Sequence, residues 1–298
     1  MNPLARFSNV LNSSTILNTA NSRSLRDWAD TVFIIRYRED IGILRDSLEA
    51  NDFKVVVQEG PYTLEQLSFS PSIQCLVNHA SAWAAVVESG KASIIVEPDF
   101  VPVRGFRDAQ CPMPFALDDP GVGFAWLYAC GPILYGFDRH GYPHGHAASV
   151  AAYILTPRVA TLLIGFFERE MSLESAGAYR PWDSYLGVFL RREHGVLNYI
   201  PKLQLGEHGS DSRVEHKQFG ARKNWHQADV LAGSLAFLPI YAHGSAFRLW
   251  RYRIRAYTWG WLRLVSGRFY DPRYIDSDTA RGRISMAAFA VLRLLRLV

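Results

Sequence analysis

Cys75-Leu76-Val77-Asn78-His79-Ala80-Ser81-Ala82-Trp83, followed after a short loop by Ile94-Ile95-Val96-Glu97-Pro98-Asp99-Phe100, is the stretch from which the fold reads. Leu76, His79, Ala80, Trp83 and Val87 recur at steps of three and four, one face of a helix predicted over Ser72 to Ser89. Ser93 to Val96 then reads as a short apolar strand that stops at two carboxylates separated by a proline. Acids at the carboxyl end of a strand lie where open α/β sheets bind their ligands.

Upstream, Thr31 to Ile35 is a β-branched and aromatic run, Asp40 to Ala50 carries Ile41, Leu44 and Leu48 at helical spacing, and Phe53 to Val57 is a second strand. Strand, helix, strand is the opening of a parallel α/β sheet. Downstream, Pro and Gly thicken from Pro112 through Gly145, with strand-like runs at Gly123 to Tyr128 and Pro132 to Tyr135, and this stretch is expected to form loops bordering a site. Ala151 to Leu155 reads as a strand, Pro157 opens a helix to Glu170, and Trp182 to Arg192 forms another. After Gly206 the chain turns polar and irregular. The expected organisation is a polar segment at 1–30, an α/β domain at 31–240 and a basic, aromatic, helical tail at 241–298.

With 298 residues, 49% of them hydrophobic, the chain can bury a large core, which excludes a disordered protein. Three cysteines without a C-x-x-C spacing argue against a disulfide framework and a cysteine zinc site, so a reducing compartment is expected. Met1 to Ser24 lacks the apolar run of a secretory leader, and no stretch reaches the twenty or so apolar residues of a membrane span. Charge is concentrated at one end: from Pro239 onward there are eleven arginines, no lysine and three aspartates, a net +8 in a chain of net +4. In the tail, Arg248, Arg251 and Arg255 recur at helical steps among Trp250, Ile254, Tyr257, Trp261 and Leu262, a pattern that suits a helix lying on an anionic membrane surface through residues 246–298. Aromatics packed back on the domain are the alternative. The expected location is cytoplasmic, peripheral on the inner face of the membrane, with no nucleic acid as partner.

Taken in order, these motifs resemble glycosyltransferase family 25, which builds lipopolysaccharide and galactosylates collagen. The family's pattern is a small-residue, Ser-His and Trp helix, then an apolar strand ending in Glu-Asp-Asp, and Ser72 to Phe106 is similar to it except that Pro98 takes the central acidic place. Ile34-Ile35-Arg36-Tyr37-Arg38 is similar to the family's first strand, with Ile35 where it has Asn. Tyr153-Ile154-Leu155-Thr156-Pro157, Pro181-Trp182-Asp183 and the Gly209-Ser210-Asp211-Ser212 loop follow in family order. The resemblance implies a Rossmann-like GT-A fold and inverting transfer of a hexose, galactose among the candidates, from a UDP-sugar to a surface glycan or lipid-linked acceptor.

It also implies roles. Asp99 would be the metal-side carboxylate and Glu97 a nucleotide or metal-shell contact, since hard oxygen donors suit Mn²⁺ or Mg²⁺. Arg36 and Arg38 would touch diphosphate or base, or be solvated surface arginines. Asp211 would bind the donor and His208 would add a metal ligand, or both would belong to a polar loop. An inverting transfer needs a base for the acceptor hydroxyl, and Asp183 is the candidate, with a helix N-cap as its competing role. His79 reads as a core histidine, and His140, His144 and His146 as a His-rich loop without standard metal spacing. With Pro98 and Ile35 breaking the pattern, a catalytically silent sugar-binding or scaffold protein of the same fold stays open, as does an adaptor working through its basic tail.

Overall fold

The computed structural model describes residues 23–36, 39–59, 62–173, 177–210, 227–270, 275 and 280–298. Its centre is β1 (Thr31–Arg36), whose four middle residues are buried, the pattern of a strand covered on both faces. Alternate residues of β1 enter separate cores: Val32 and Ile34 join one, Phe33 and Ile35 the other. β1 pairs in parallel with β2 (Lys54–Glu59) on one side and β3 (Ser93–Val96) on the other. Between the first two runs α2 (Gly42–Glu49), preceded by the short α1 (Leu25–Trp28), buries Leu44 and Leu48. This is the Rossmann-like β-α-β opening that the sequence predicts.

α3 (Pro71–Ser89) crosses from β2 to β3. Ser70 caps it by accepting from the Ile73 amide, Pro71 fits its first turn, and Gly90 at φ +65° ends it in the left-handed region. Beyond β3 the sheet turns antiparallel through β8 (Ala152–Leu155), then takes β5 (Phe124–Trp126), β9 (Asn198–Tyr199), β7 (Pro143–His146) and β6 (Ile133–Phe137), in the order β2-β1-β3-β8-β5-β9-β7-β6. α3, α4 (Pro157–Ser172) and α5 (Trp182–His194) cover one face, where Trp83, Tyr153, Phe166 and Leu190 are buried. The protein is thus a mixed α/β molecule. A separate two-stranded ladder pairs β4 (Phe100–Pro102) with β10 (Gly206–His208).

The Pro- and Gly-rich stretch is more strand than the expected site-bordering loops, its two strand-like runs becoming β5 and β6. It holds β5, β6 and β7, and its Met113, Val122, Phe124 and Trp126 are buried. Its glycines serve the turns between strands: Gly131 and Gly141 take φ +52° and +82°. His144 and His146 lie on β7 rather than in a loop. The segment after Gly206 opens with the short strand β10 and is irregular again from Gln227 to Pro239, while 211–226 lie outside the described residues.

The tail packs against the domain. α6 (Ala246–Val265) starts at Ser245, which accepts from the Arg248 amide, and α7 (Ala280–Leu294) buries Met286, Phe289 and Ala290 with Leu134 of β6. Three arginines anchor these helices. Arg253 donates to Glu207 at 2.7 Å and to the Ala228 carbonyl at 2.6 Å, and Arg263 donates to the carbonyls of Gly131 and Pro132 at 2.8 and 2.9 Å. Arg293, fully buried, grips both oxygens of Asp229 at 2.5 and 2.8 Å. Among the described residues, no helix is long and apolar enough to cross a membrane.

Candidate functional site

β3 delivers Glu97-Pro98-Asp99 to the rim of a cleft of about 450 Å³, bordered also by Ile35, Tyr62, Asn78, His208 and Ile240. The turn is fixed by its backbone: the Glu97 amide donates to the Ala151 carbonyl at 2.9 Å, and the Phe100 amide donates to the Glu97 carbonyl at 3.1 Å. β10 then brings a residue distant in sequence to the same place. Its antiparallel register sets His208 opposite Phe100, and the Gly209 amide donates to the Asp99 carbonyl at 2.7 Å. Two glycines permit that approach. A Cβ at Gly206 would lie 2.3 Å from the Phe100 ring, and one at Gly209 would lie 2.8 Å from the Asp99 carbonyl oxygen.

His208 Nδ1 consequently sits 3.1 Å from Asp99 Oδ2 and 2.7 Å from Ser210 Oγ, while its Nε2 lies 4.0 Å from Glu97 Oε2. One donor atom from each of Glu97, Asp99 and His208 lies within 4.8 Å of the others. A pair of carboxylates with an imidazole is a donor set for a divalent cation that accepts nitrogen, which favours Mn²⁺ over Mg²⁺. The neutral Pro98 is therefore not the end of the site, because the third donor arrives on β10.

Side chains of α3 hold Glu97 from behind. Its Oε1 lies 3.4 Å from His79 Nε2 and accepts from the Cys75 thiol at 3.7 Å. His79 Nδ1 lies 2.8 Å from the Tyr153 hydroxyl, which accepts from the Trp83 indole N–H at 2.8 Å. Helical spacing places Cys75, His79 and Trp83 on one face of α3, so the row is a direct product of the motif. Burial by itself would raise Glu97, but the His79 hydrogen bond, with the electrostatic pull of the His79 and His208 imidazoles, outweighs it and holds the carboxyl below its usual range. Cys75 goes the other way: burial first, then the charges of Glu97 and Asp183, push its thiol well up. Cys75, His79 and Glu97 are also close together, but both ring nitrogens of His79 are taken up there, by the Tyr153 hydroxyl and by Glu97.

Asp183 lies in the first turn of α5, after the helix N-cap at Pro181. It accepts from the Ser184 amide at 2.8 Å rather than capping a residue two or three further on. Burial foremost, with the negative charge of Glu97 added, pushes its carboxyl up to about 6 against that hydrogen bond. Asp183 thus feels the charge of Glu97 but is not among the described residues that border the cleft, and a carboxyl raised to about 6 is matched to proton transfer near neutral pH.

The other sequence-predicted residues fall differently. Arg36 Nη1 pairs with Glu59 at 3.2 Å across β1 and β2, and its Nε donates to the Glu39 carbonyl at 3.1 Å. Arg38 and Asp211 lie outside the described residues. Asn78, which the motif reading left without a role, is 2% exposed on the cleft wall. Its Nδ2 donates to the Arg36 carbonyl and the Tyr62 hydroxyl, at 3.2 and 2.6 Å, and the carbonyl partner fixes the amide orientation. Among the described residues, the buried Asn78 Oδ1 has no hydrogen-bond partner. A polar residue one place before His79 on an apolar helix was the signal for it.

No family profile matches the chain, and no curated protein matches it. Among solved structures, the chain is similar to a glycosyltransferase involved in the glycosylation of the major capsid of PBCV-1, at 9% identity and a TM-score of 0.39, over 58% of this chain and 81% of that one.

Proposed function

We propose that this chain is a glycosyltransferase that takes a sugar from a nucleotide-diphosphate donor at a divalent-cation site formed by Glu97, Asp99 and His208, with Asp183 as general base. The observation that carries the reading is the convergence of those three donors on one cleft; Asp183 is the candidate base because its carboxyl is raised to about 6 and feels the charge of Glu97. The resemblance of the motifs to family 25 supports the finer reading, a hexose carried on UDP and delivered with inversion to a glycan or lipid-linked hydroxyl.

In that reaction the acceptor oxygen forms a bond to the anomeric carbon as the bond from that carbon to the diphosphate oxygen breaks. The acceptor proton passes to Asp183, and the diphosphate leaves carrying the electron pair. A divalent cation held by Glu97, Asp99 and His208 would supply counter-charge for the leaving group. His79, pinned by Tyr153, keeps Glu97 oriented and ionised. Asn78 Oδ1 offers a buried acceptor to an N–H or O–H of the donor nucleoside, since an unpaired buried oxygen gains most from a partner.

A panel of nucleotide sugars, screened by thermal shift with and without Mn²⁺ and then by release of free nucleotide, tests the proposal. A Mn²⁺-dependent stabilisation by one donor, followed by turnover, is expected. Absence of stabilisation by every donor in both conditions would sink it, and stabilisation without turnover toward any acceptor would point to the catalytically silent form of the fold.

A further inference from the structure

The outward half of α6 carries a surface that sugar transfer does not use. Its inward side is set by the buried Ala256 and Gly260, the anchors Arg253 and Arg263, and Leu249 packed on the core. At 3.6 residues per turn the opposite side divides lengthwise into two strips. Phe247, Trp250, Ile254, Trp261 and Val265 form an apolar strip, in which Phe247 is 65% exposed, Trp250 57% and Val265 83%. Arg248, Arg251 and Arg255 form a cationic row beside it, lining with His243 and Tyr252 a recess of about 400 Å³. Phe247 and Trp250 stack at 5.9 Å, so the two aromatics at its start present one joint surface. The helix contains no aspartate or glutamate.

We infer that α6 seats the protein on an anionic lipid bilayer, with the apolar strip in the acyl boundary and the arginine row on head-group phosphates. Each alternative satisfies only half of the surface. A nucleic acid would engage the arginines and leave Ile254 and Val265 in water, whereas an apolar protein partner would cover the strip and offer no anion to the cationic row. A bilayer with anionic head groups meets both strips at once, because aromatic rings and arginines are both favoured at the interface. The sequence assigned the whole tail to this role, but the structure withdraws Arg253, Arg263 and Arg293, which are engaged inward. α6 also begins next to the cleft: Ile240 borders the cleft and His243 borders the cationic recess. A phosphate-bearing lipid acceptor held by the row would therefore lie toward the transfer site, a consequence that rests on the function proposed above, while bilayer binding itself does not.

Full-length protein is sedimented with phosphatidylcholine vesicles, with and without phosphatidylglycerol, at low and high salt and without nucleotide sugar, so that failure here leaves the catalytic proposal standing. The protein is expected to pellet with the anionic vesicles and to be partly released by salt. Arg248→Glu with Arg251→Glu and Arg255→Glu should lower partitioning about a hundredfold. Phe247→Ser with Trp250→Ser should lower it at high salt as well, and melting curves show whether either variant still folds. Parent protein that stays in the supernatant with both vesicle types at low salt would overturn the inference. So would folded variants that sediment like the parent, or retention on single-stranded RNA but not on vesicles.

Discussion

Glu207 and His208 are neighbours on one strand, yet they project to opposite sides of the β4–β10 ladder into two contrasting polar environments. On one side Glu207 meets Arg253, Tyr241 and the Ala228 amide, and nearby Asp229 is gripped by Arg293. On the other, His208 meets Asp99 and Glu97, and Glu97 meets His79 and a thiol. Buried carboxylates closed off by guanidinium groups act as fasteners, holding the tail helices to the domain. Half-buried carboxylates facing imidazoles and one another leave negative charge concentrated at a cleft, the arrangement on which the proposed cation site rests. The contrast shows that burial of an acid is not by itself a sign of chemistry; the kind of partner decides.

The largest effect should come from breaking a fastener. Arg293→Ala leaves Asp229 buried without its guanidinium, at a cost of about 3–5 kcal/mol. Calorimetry should show a melting temperature lower by roughly 10 °C. Acid should weaken the same contact. Burial raises Asp229, but Arg293 outweighs it and holds the carboxyl low, so the stabilisation is present above the unfolded carboxylate's range and is lost as pH falls toward the folded value. If Arg293→Ala melts like the parent, the tail is not held in this way.

The site should respond in the opposite manner. Asp99→Ala removes a charge that faces other acids, so the fold should survive while transfer falls on the order of a thousandfold. His208→Ala should mimic it, with a raised Mn²⁺ requirement read by titration. Unchanged turnover in Asp99→Ala would remove the assignment of this cleft.

Asp183 separates the two kinds of role within one residue. Its folded carboxyl is raised to about 6, so ionising it costs stability, and that loss sets in as pH rises from the unfolded carboxylate range through 6. Asp183→Asn should therefore leave stability at neutral pH unchanged or raise it, while lowering turnover roughly a hundredfold. The parent rate should climb through pH 6 as the base ionises. A helix cap would behave in reverse, with melting temperature lost and rate kept.

The fold was largely legible because its carriers are local patterns. Thr31 to Ile35, Ser72 to Ser89 and Ser93 to Val96 declare themselves by period and composition, and the structure sets their elements within a residue or two. What the sequence concealed depends on pairing between distant segments. Nothing local to Gly206-Glu207-His208-Gly209 says that it forms a ladder with Phe100-Val101-Pro102, and that ladder is what delivers His208 to Asp99. Within Pro112 to Gly145, β5 and β6 fall on the strand-like runs of the sequence, whereas β7 was hidden for a related reason: it lies among Gly and Pro and is too short for alternation to show. The arginines of the tail look alike in sequence, and only packing distinguishes Arg253 from its exposed neighbours Arg251 and Arg255.

The smallest effect should come from the far end of the row behind Glu97. Tyr153 is raised well above its usual value, mainly by burial, so it remains an O–H at any ordinary pH. Its oxygen already accepts from Trp83, and donating its own proton to His79 Nδ1 leaves the imidazole proton on Nε2, facing Glu97. Tyr153→Phe would leave the Trp83 N–H and His79 Nδ1 buried without that partner, at a cost of about 1–3 kcal/mol. It would also free His79 to hold its proton on the wrong nitrogen and loosen Glu97, lowering transfer about tenfold with a raised Mn²⁺ requirement. Trp83→Phe is the matched comparison, because it removes the indole N–H but leaves the Tyr153 to His79 bond in place. If the row positions Glu97, both variants lose stability, but only Tyr153→Phe shifts the Mn²⁺ titration. Equal melting losses with identical Mn²⁺ titrations would reduce the row to packing, and would place it with the fasteners of the tail rather than with the cation site.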